Sequence, residues 1–169
     1  IVFISLILVA AVASAVIIQT AEKLQQNAQT AGDDTSDELS GKLAIMQGFV
    51  DNTGDYVLYV RLAAGSSTIT STTISWQLFC SAGAGYEDST TGGFAAANVG
   101  LQNTAAFSAE ATMTVQNPYK ILIAANTCDA TATAGTPSQQ AQLYIHVENG
   151  GTTFETLDVS SATAGTPVI

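Results

Sequence analysis

The feature that most constrains this chain is its beginning, because the first 18 residues, IVFISLILVAAVASAVII, contain no charged side chain. About 20 consecutive apolar residues span a lipid bilayer as an α-helix, and this segment nearly reaches that length. A helix that is apolar on every face must be enclosed by apolar matter, which is either lipid or protein. The segment is therefore a membrane anchor, a secretion signal, or a helix buried in an assembly.

A removable secretion signal is the weakest of these three interpretations. Such signals usually start with a basic region and end at a small-residue cleavage site. Ala13, Ser14 and Ala15 resemble a cleavage site, but no Lys, Arg or initiator Met precedes the apolar run, so we expect a chain that is already processed or cut at its start. The lipid anchor and the buried helix remain, and they also apply in succession if the chain leaves a membrane to join an assembly.

Small residues crowd the middle of the apolar run at Ala10, Ala11, Ser14 and Ala15. The pairs Ala10/Ser14 and Ala11/Ala15 are four positions apart, so the members of each pair lie along one face of a helix. This spacing allows the backbones of two helices to approach closely. Alanine is also simply common in apolar helices, so the motif by itself is a weak signal.

The helical pattern continues beyond the apolar run and becomes amphipathic, with a stripe at spacings of four, three, four and four residues. The stripe consists of Leu24, Ala28, Ala31, Thr35 and Leu39. Gly32-Asp33-Asp34 interrupts the pattern, Thr35 with Glu38 predicts a capping box that restarts the helix, and Gly41 predicts its end. About 40 helical residues extend roughly 60 Å, which is too long for the core of a small domain. We therefore predict a projecting helix over residues 1–41, whose stripe needs partners outside its own chain.

From Lys42 onward the periodicity changes from helical to alternating, which predicts β-strands. The alternating sets are Leu43/Ile45/Phe49, Tyr56/Leu58/Val60/Leu62, Ile74/Trp76/Leu78/Cys80, Met113/Val115, Tyr119/Ile121/Ile123 and Leu143/Ile145/Val147. Asn149-Gly150 predicts a hairpin turn into a last strand over residues 154–159. Residues 63–73, 81–106 and 127–140 are predicted linkers. Short strands separated by Gly, Thr and Ser indicate a β-sandwich or barrel over residues 42–169, and the predicted fold class is α+β.

Charge and motifs exclude several classes of function. Four basic residues against fourteen acidic ones give a formal net charge of -10, whereas nucleic-acid binding needs clustered Lys and Arg. No P-loop, GxSxG, HExxH or dinucleotide glycine pattern occurs, so we expect no catalytic, cofactor-binding or metal-binding residues and no enzyme. His146 is expected to be an ordinary surface residue. The pairs Asp33-Asp34 and Glu87-Asp88 are expected to be solvated carboxylates rather than a calcium site.

The opening segment resembles the N-terminal signature of archaeal flagellins, the archaellins. It shares their I-V-F-I start, a V-A-A-V-A run at residues 9–13, and T-A-x-x-L-Q-Q at residues 20–26. The segment YVLYVRLAAGSSTI at residues 56–69 resembles the strand and Gly-Ser turn that follow the first hairpin in that family. The resemblance implies a type IV pilin-like subunit, cleaved from a precursor by a prepilin-type peptidase and assembled by the archaellum machinery. It also implies a helical homopolymer with the helices in its core and immunoglobulin-like β domains outside.

The resemblance thus favours a structural subunit for swimming motility, located in an extracellular filament after a membrane-embedded stage. A subunit of an adhesion pilus is the alternative, because both assemblies combine an apolar helix with a β domain. A bacterial type IV pilin is disfavoured, because the early Glu of such helices is absent from this run. An enzyme or receptor tethered by one helix predicts a convergent polar pocket, which the sequence does not reveal.

Cys80 and Cys128 are the only cysteines, so the chain contains neither a zinc-binding cysteine set nor a CxxC redox motif. The resemblance places the β domain outside the cell, where disulfides persist. Cys80 ends one predicted strand and Cys128 follows another, so we expect an intramolecular disulfide, with two separate buried thiols as the alternative. The abundance of Thr and Ser is compatible with O-linked sugars, whereas the sequence holds no Asn-x-Ser/Thr sequon.

Overall fold

A computed structural model describes residues 1–81, 86–88, 94 and 96–169, and for residues 37, 38, 40, 87, 88 and 96 it describes the backbone alone. Within these residues one long helix precedes an antiparallel β domain. The helices and strands are α1 (Val2–Ser40), β1 (Leu43–Val50), β2 (Tyr56–Leu62), β3 (Ile69–Thr70), β4 (Ile74–Cys80), β5 (Tyr86–Asp88), β6 (Val99–Leu101), β7 (Thr112–Met113), β8 (Tyr119–Ile123), α2 (Ala130–Ala134), β9 (Gln140–Val147) and β10 (Thr152–Asp158).

Helix α1 runs without interruption from Val2 to Ser40, so the predicted break at residues 32–34 is wrong. The predicted capping box is wrong as well, because the Thr35 hydroxyl donates to the carbonyl oxygen of Ala31, one turn earlier in the same helix (2.7 Å). A single Gly costs the interior of a helix only about 1 kcal/mol relative to Ala, and a long helix tolerates that loss. The predicted end at Gly41 is confirmed, since Gly41 follows the last helical residue.

The chain divides into two compact units, Ile1–Ser36 and Asp37–Ile169. The division falls inside the last turns of α1, a few residues before the predicted boundary between residues 41 and 42. Every buried hydrophobic residue of the described chain lies at or beyond Leu43. The boundary between residues 41 and 42 therefore stays a prediction about which part of the chain folds by itself.

Two four-stranded antiparallel sheets form the β domain. The first sheet has the strand order β1-β2-β8-β6 and the second has the order β10-β9-β4-β5, while β3 and β7 pair separately. Alternate side chains of both sheets are buried in one core, with Leu58 and Ile121 from the first sheet and Trp76 and Leu143 from the second. Two sheets that share one core make a sandwich, so the predicted α+β fold with a β-sandwich is confirmed.

The middle of β1 differs from the prediction. The pairing of β1 with β2 shifts register at Met46, which forms a bulge. Leu43 is buried before the bulge, whereas Phe49 lies beyond it on the outer face, where its ring is 5.8 Å from the ring of Tyr59. The prediction that Leu43, Ile45 and Phe49 share one face is therefore wrong for Phe49, because one inserted residue reverses the alternation.

The other long strands follow the predicted alternation. On β2 the residues Tyr56, Leu58, Val60 and Leu62 are all buried, and β8 and β9 bury their predicted faces in the same way. On β4 the predicted face is buried except at its last residue, Cys80, which is half-buried. The hairpin between β9 and β10 is confirmed, and Asn149 occupies a left-handed position in its turn (φ 55°).

The predicted linkers hold short elements that the sequence does not reveal. Strand β3 lies in the first linker, β5 and β6 lie in the second, and α2 lies in the third. Strands of two or three residues are too short to display an alternation, and the five residues of α2 are too few to display a helical period. The rest of the second linker includes residues 82–85, 89–93 and 95, which lie outside the described residues. The strand predicted around Met113 and Val115 consists of only the two residues of β7, and Val115 lies beyond it and is exposed.

A disulfide bond joins Cys80, at the end of β4, to Cys128, in the segment between β8 and α2, and their Cα atoms are 5.7 Å apart. Strand β4 belongs to the second sheet and β8 to the first. The disulfide therefore connects the second sheet to the segment that follows β8 of the first sheet. The carbonyl oxygen of buried Cys128 accepts hydrogen bonds from the hydroxyls of Tyr56 (2.9 Å) and Thr133 (3.2 Å). These contacts fix the segment that carries Cys128 against the core.

Replacing both cysteines by alanine should destabilise the β domain without changing its fold. The two residues are 48 positions apart, and cross-linking a loop of that length stabilises a folded domain by about 2–4 kcal/mol. We expect a lower urea midpoint for the Cys80→Ala/Cys128→Ala variant and an unchanged circular dichroism spectrum. Mass spectrometry of the unreduced wild-type chain should find no alkylatable thiol, and two free thiols would contradict the bond.

Removing residues 1–18 should leave a soluble, β-rich monomer, because the core that begins at Leu43 uses no side chain from that segment. Size-exclusion chromatography should show a monomer, and emission from Trp76 should report a buried indole. The variant Leu58→Asp in the same truncated chain supplies the unfolded reference, since it places a charge in the core. A truncated chain that matches this reference, or that still forms filaments, would contradict the division into helix and β domain.

Candidate functional site

The apolar surface of α1 is exposed in the single chain. Large side chains such as Phe3 and Leu24 are 83% and 69% exposed, and Leu39 near the end of the helix is 66% exposed. Within the described residues the segment Val2–Ser36 is the one helix long and apolar enough, by length and composition, to cross a membrane. Burying one such side chain is worth about 1.5–3 kcal/mol, so exposing roughly a dozen of them to water opposes the isolated state by tens of kcal/mol.

The hydroxyl groups of α1 are compatible with an apolar environment. Ser5 donates to the carbonyl oxygen of Val2 (2.8 Å), and Thr20 donates to that of Val16 (2.9 Å). A hydroxyl that donates to a carbonyl oxygen of its own helix keeps this hydrogen bond when lipid or protein replaces water. The first turns of the helix can therefore be enclosed without a desolvation penalty at these positions.

The four small residues that the sequence singled out, Ala10, Ala11, Ser14 and Ala15, all lie in α1 and are exposed. Side chains this short let another helix approach the backbone, whereas the surrounding Val, Ile and Leu side chains hold it away. Packing through this zone stays a prediction, because a single chain contains no second helix.

The continuity of α1 places two of the four small residues near the side of the helix that bears the stripe. Residues Leu24, Ala28, Ala31 and Leu39 lie within an arc of about 80°, since each residue of a helix turns by about 100°. Ala10 lies about five turns before Ala28, and so on the same side of the helix, and Ser14 lies within about 60° of the centre of the stripe. Ala11 and Ala15 lie about 120° and 160° from that centre, so the second small pair belongs to a different face of the helix.

The β domain offers little that could perform chemistry. His146 is exposed, and its Nδ1 atom lies 2.8 Å from the Thr152 hydroxyl. Asp33 and Asp34 lie on the exposed surface of α1. The side chains of Glu87 and Asp88 lie outside the described residues. Within the described part of the chain no group of three or more His, Cys, Asp or Glu side chains is placed to hold a metal ion.

A shallow cleft on the first sheet encloses about 360 Å³. Its described lining includes Met46, Tyr59, Arg61 and Val115, and holds no carboxylate, histidine or cysteine. These described residues therefore offer no side chain of the kind that general acid–base catalysis uses near neutral pH.

Comparison with solved structures supports the fold. A subunit in the structure of the archaeal flagellum of Methanospirillum hungatei strain JF1 is similar to this chain over 99% of its length and 95% of that subunit's, with a TM-score of 0.58. The sequence identity is 18%, so this similarity establishes the fold, a long helix followed by a β domain, and no more.

Comparison with known sequences also identifies the family of the chain. The chain is 30% identical to Flagellin A1 of Haloferax volcanii over 98% of its own length and 88% of that protein. It is 43% identical to Flagellin B1 of Halobacterium salinarum over 45% of this chain and 42% of that protein. The family model for archaeal-type flagellin matches residues 1–158. Because the match takes in both the helix and nearly all of the β domain, the chain belongs to the archaeal-type flagellin family.

Proposed function

We propose that this chain is a structural subunit of an archaeal flagellum, the archaellum, and that it polymerises through α1 into a filament that serves swimming motility. The observation that carries the proposal is a continuous helix of 39 residues whose apolar side chains are exposed in a chain with a separate β core. Membership of the archaeal-type flagellin family supports the same function. The family consists of structural subunits rather than enzymes.

Further copies of the same helix are suitable neighbours for α1. A helix that is apolar on every face over residues 1–18 needs enclosure on all sides, and many parallel copies provide it. The small residues allow close approach, and the stripe beyond the apolar run adds contacts outside the thickness of a bilayer. In the resulting homopolymer the β domains face outward and the filament lies outside the cell.

Before assembly the subunit resides in the membrane. The length and composition of Val2–Ser36 suit a bilayer, and the internal hydroxyl bonds of Ser5 and Thr20 suit its interior. A prepilin-type peptidase releases the subunit from its precursor form and the archaellum machinery inserts it into the filament. Transfer from lipid to a protein core exchanges one apolar environment for another, so close packing rather than the hydrophobic effect favours assembly.

Enlarging one small residue should separate membrane insertion from assembly. The variants Ala11→Phe and Ala15→Phe keep the segment apolar, so insertion should survive. Overpacking at a close helix contact costs about 1–3 kcal/mol at each site, and every subunit of the polymer carries the change. Electron microscopy should show few or short filaments, membrane fractions should retain the subunit, and swimming should be lost.

Ala11→Ser is the matched control, because it changes the same position and keeps the side chain small. It should assemble and swim like the wild type. Normal filaments from both Phe variants would show that the small residues are not a packing surface. Cells that swim normally without any filament would contradict the motility function. Cells that carry filaments and adhere to surfaces but do not swim would favour the adhesion pilus.

A further inference from the structure

Four aromatic side chains form a row across the outer face of the second sheet. The row runs from Tyr86 on β5 through Phe79 on β4 and Tyr144 on β9 to Phe154 on β10. Successive ring centroids are 5.1, 5.8 and 4.9 Å apart. Tyr86 is paired directly with Phe79, and Tyr144 with Phe154. This aromatic row therefore crosses every strand of its sheet.

Three of the four rings in the aromatic row are exposed to solvent. Cross-strand aromatic pairs stabilise a sheet through ring contact alone. Yet Phe79, Tyr86 and Phe154 are 38%, 41% and 49% exposed. A contiguous exposed apolar patch on the surface of a domain commonly marks a site of interaction with another molecule.

The surroundings of the aromatic row are polar but almost uncharged. Among the outward-facing side chains that the structure describes on β4, β9 and β10, only Asp158, at the end of β10, is acidic, and none is a lysine or an arginine. The remaining outward-facing polar residues on these strands are Ser75, Gln77, Gln140, Gln142, His146, Thr152 and Thr156. Aromatic enrichment with few charges is typical of the centre of a protein–protein interface.

The charge of the chain favours a second copy as the occupant. With fourteen acidic and four basic residues, two copies that meet through carboxylate-bearing surfaces repel each other. A face whose described residues on β4, β9 and β10 include one carboxylate, Asp158 at its edge, keeps this repulsion small. The amide groups of Gln77 and Gln142 and the hydroxyl of Tyr144 can also donate hydrogen bonds to carboxylates of the neighbour, and bonds to charged acceptors are stronger than neutral ones.

A polysaccharide fits the aromatic row less well. Stacking along a sugar chain needs ring faces in a common plane, but successive rings of the row are inclined to each other by 40°, 90° and 48°. A folded surface with side chains of varied depth matches such inclined rings better than a flat sugar does.

We propose that the aromatic row is the contact surface through which the β domain binds the acid-rich β domain of a neighbouring subunit. The inference rests on the proposed filament, whose helical symmetry brings different surfaces of successive subunits together. The contact adds a lateral connection between β domains to the connection through α1.

Hydroxyl-radical footprinting of intact filaments tests the contact against the same full-length chains dissociated in detergent. Oxidation of Phe79 and Phe154 should fall at least about threefold in the filament, because the core of an interface excludes water. Met46 and Val115 serve as controls, since they are 43% and 38% exposed but line the cleft on the first sheet. Their oxidation should change less than that of the row.

A substitution supplies the second measurement. Filaments of Phe154→Asp should form through α1 but dissociate at a lower detergent concentration than the wild type. Val115→Asp, which places the same charge at an exposed apolar position of the control surface, should dissociate like the wild type. Phe154→Tyr, which keeps the ring, should restore resistance to detergent.

Three outcomes would overturn the contact. They are equal oxidation of the row in filaments and in dissociated chains, equal protection of the row and the controls, and protection that appears only when a soluble cell-surface polysaccharide is added. If wild-type chains form no filament at all, the proposed function itself fails, and that result is distinct from the other three.

Discussion

The structure depends on one constraint, which is that the apolar surface of α1 must be kept out of water. Every other feature of the chain is compatible with this requirement: the β domain completes its core without α1, and the hydroxyls of Ser5 and Thr20 bond within their own helix. Lipid and a bundle of identical helices both satisfy the constraint, and the hydrophobic effect hardly distinguishes them. What distinguishes them is close packing, for which side chains as short as Ala10 and Ala11 leave room.

The β domain completes its own core from Leu43 onward without a side chain from α1. Its two sheets share one core, and the disulfide between Cys80 and Cys128 connects the second sheet to the segment that leaves the first. The hydroxyl of Tyr56 holds the same segment by its bond to the Cys128 carbonyl oxygen. These internal connections support the prediction that the β domain stays folded when residues 1–18 are removed.

The sequence predicts the long elements well, because a period must repeat several times before it can be recognised. Helix α1 and the strands β2, β4, β8 and β9 meet that condition. The bulge at Met46 does not, because one inserted residue leaves no pattern of its own and yet turns Phe49 to the outer face. The sequence does not predict the aromatic row either. Alternation identifies which residues face the core, but it does not identify which outward-facing residues are neighbours on adjacent strands. Only the register of β4, β9 and β10 brings Phe79, Tyr144 and Phe154 together.

The predicted break in α1 was wrong about the conformation but identified a stretch where the helix is least favoured. Gly32 costs backbone entropy, and Asp33 and Asp34 have a low intrinsic preference for the interior of a helix. Helical hydrogen bonding on both sides is sufficient to carry the helix through, because propagation adds one bond for each residue that is fixed. The division between the two compact units falls only a few residues later, after Ser36. The residues that least favour the helix, Gly32, Asp33 and Asp34, thus lie close to the division between the two units of the chain.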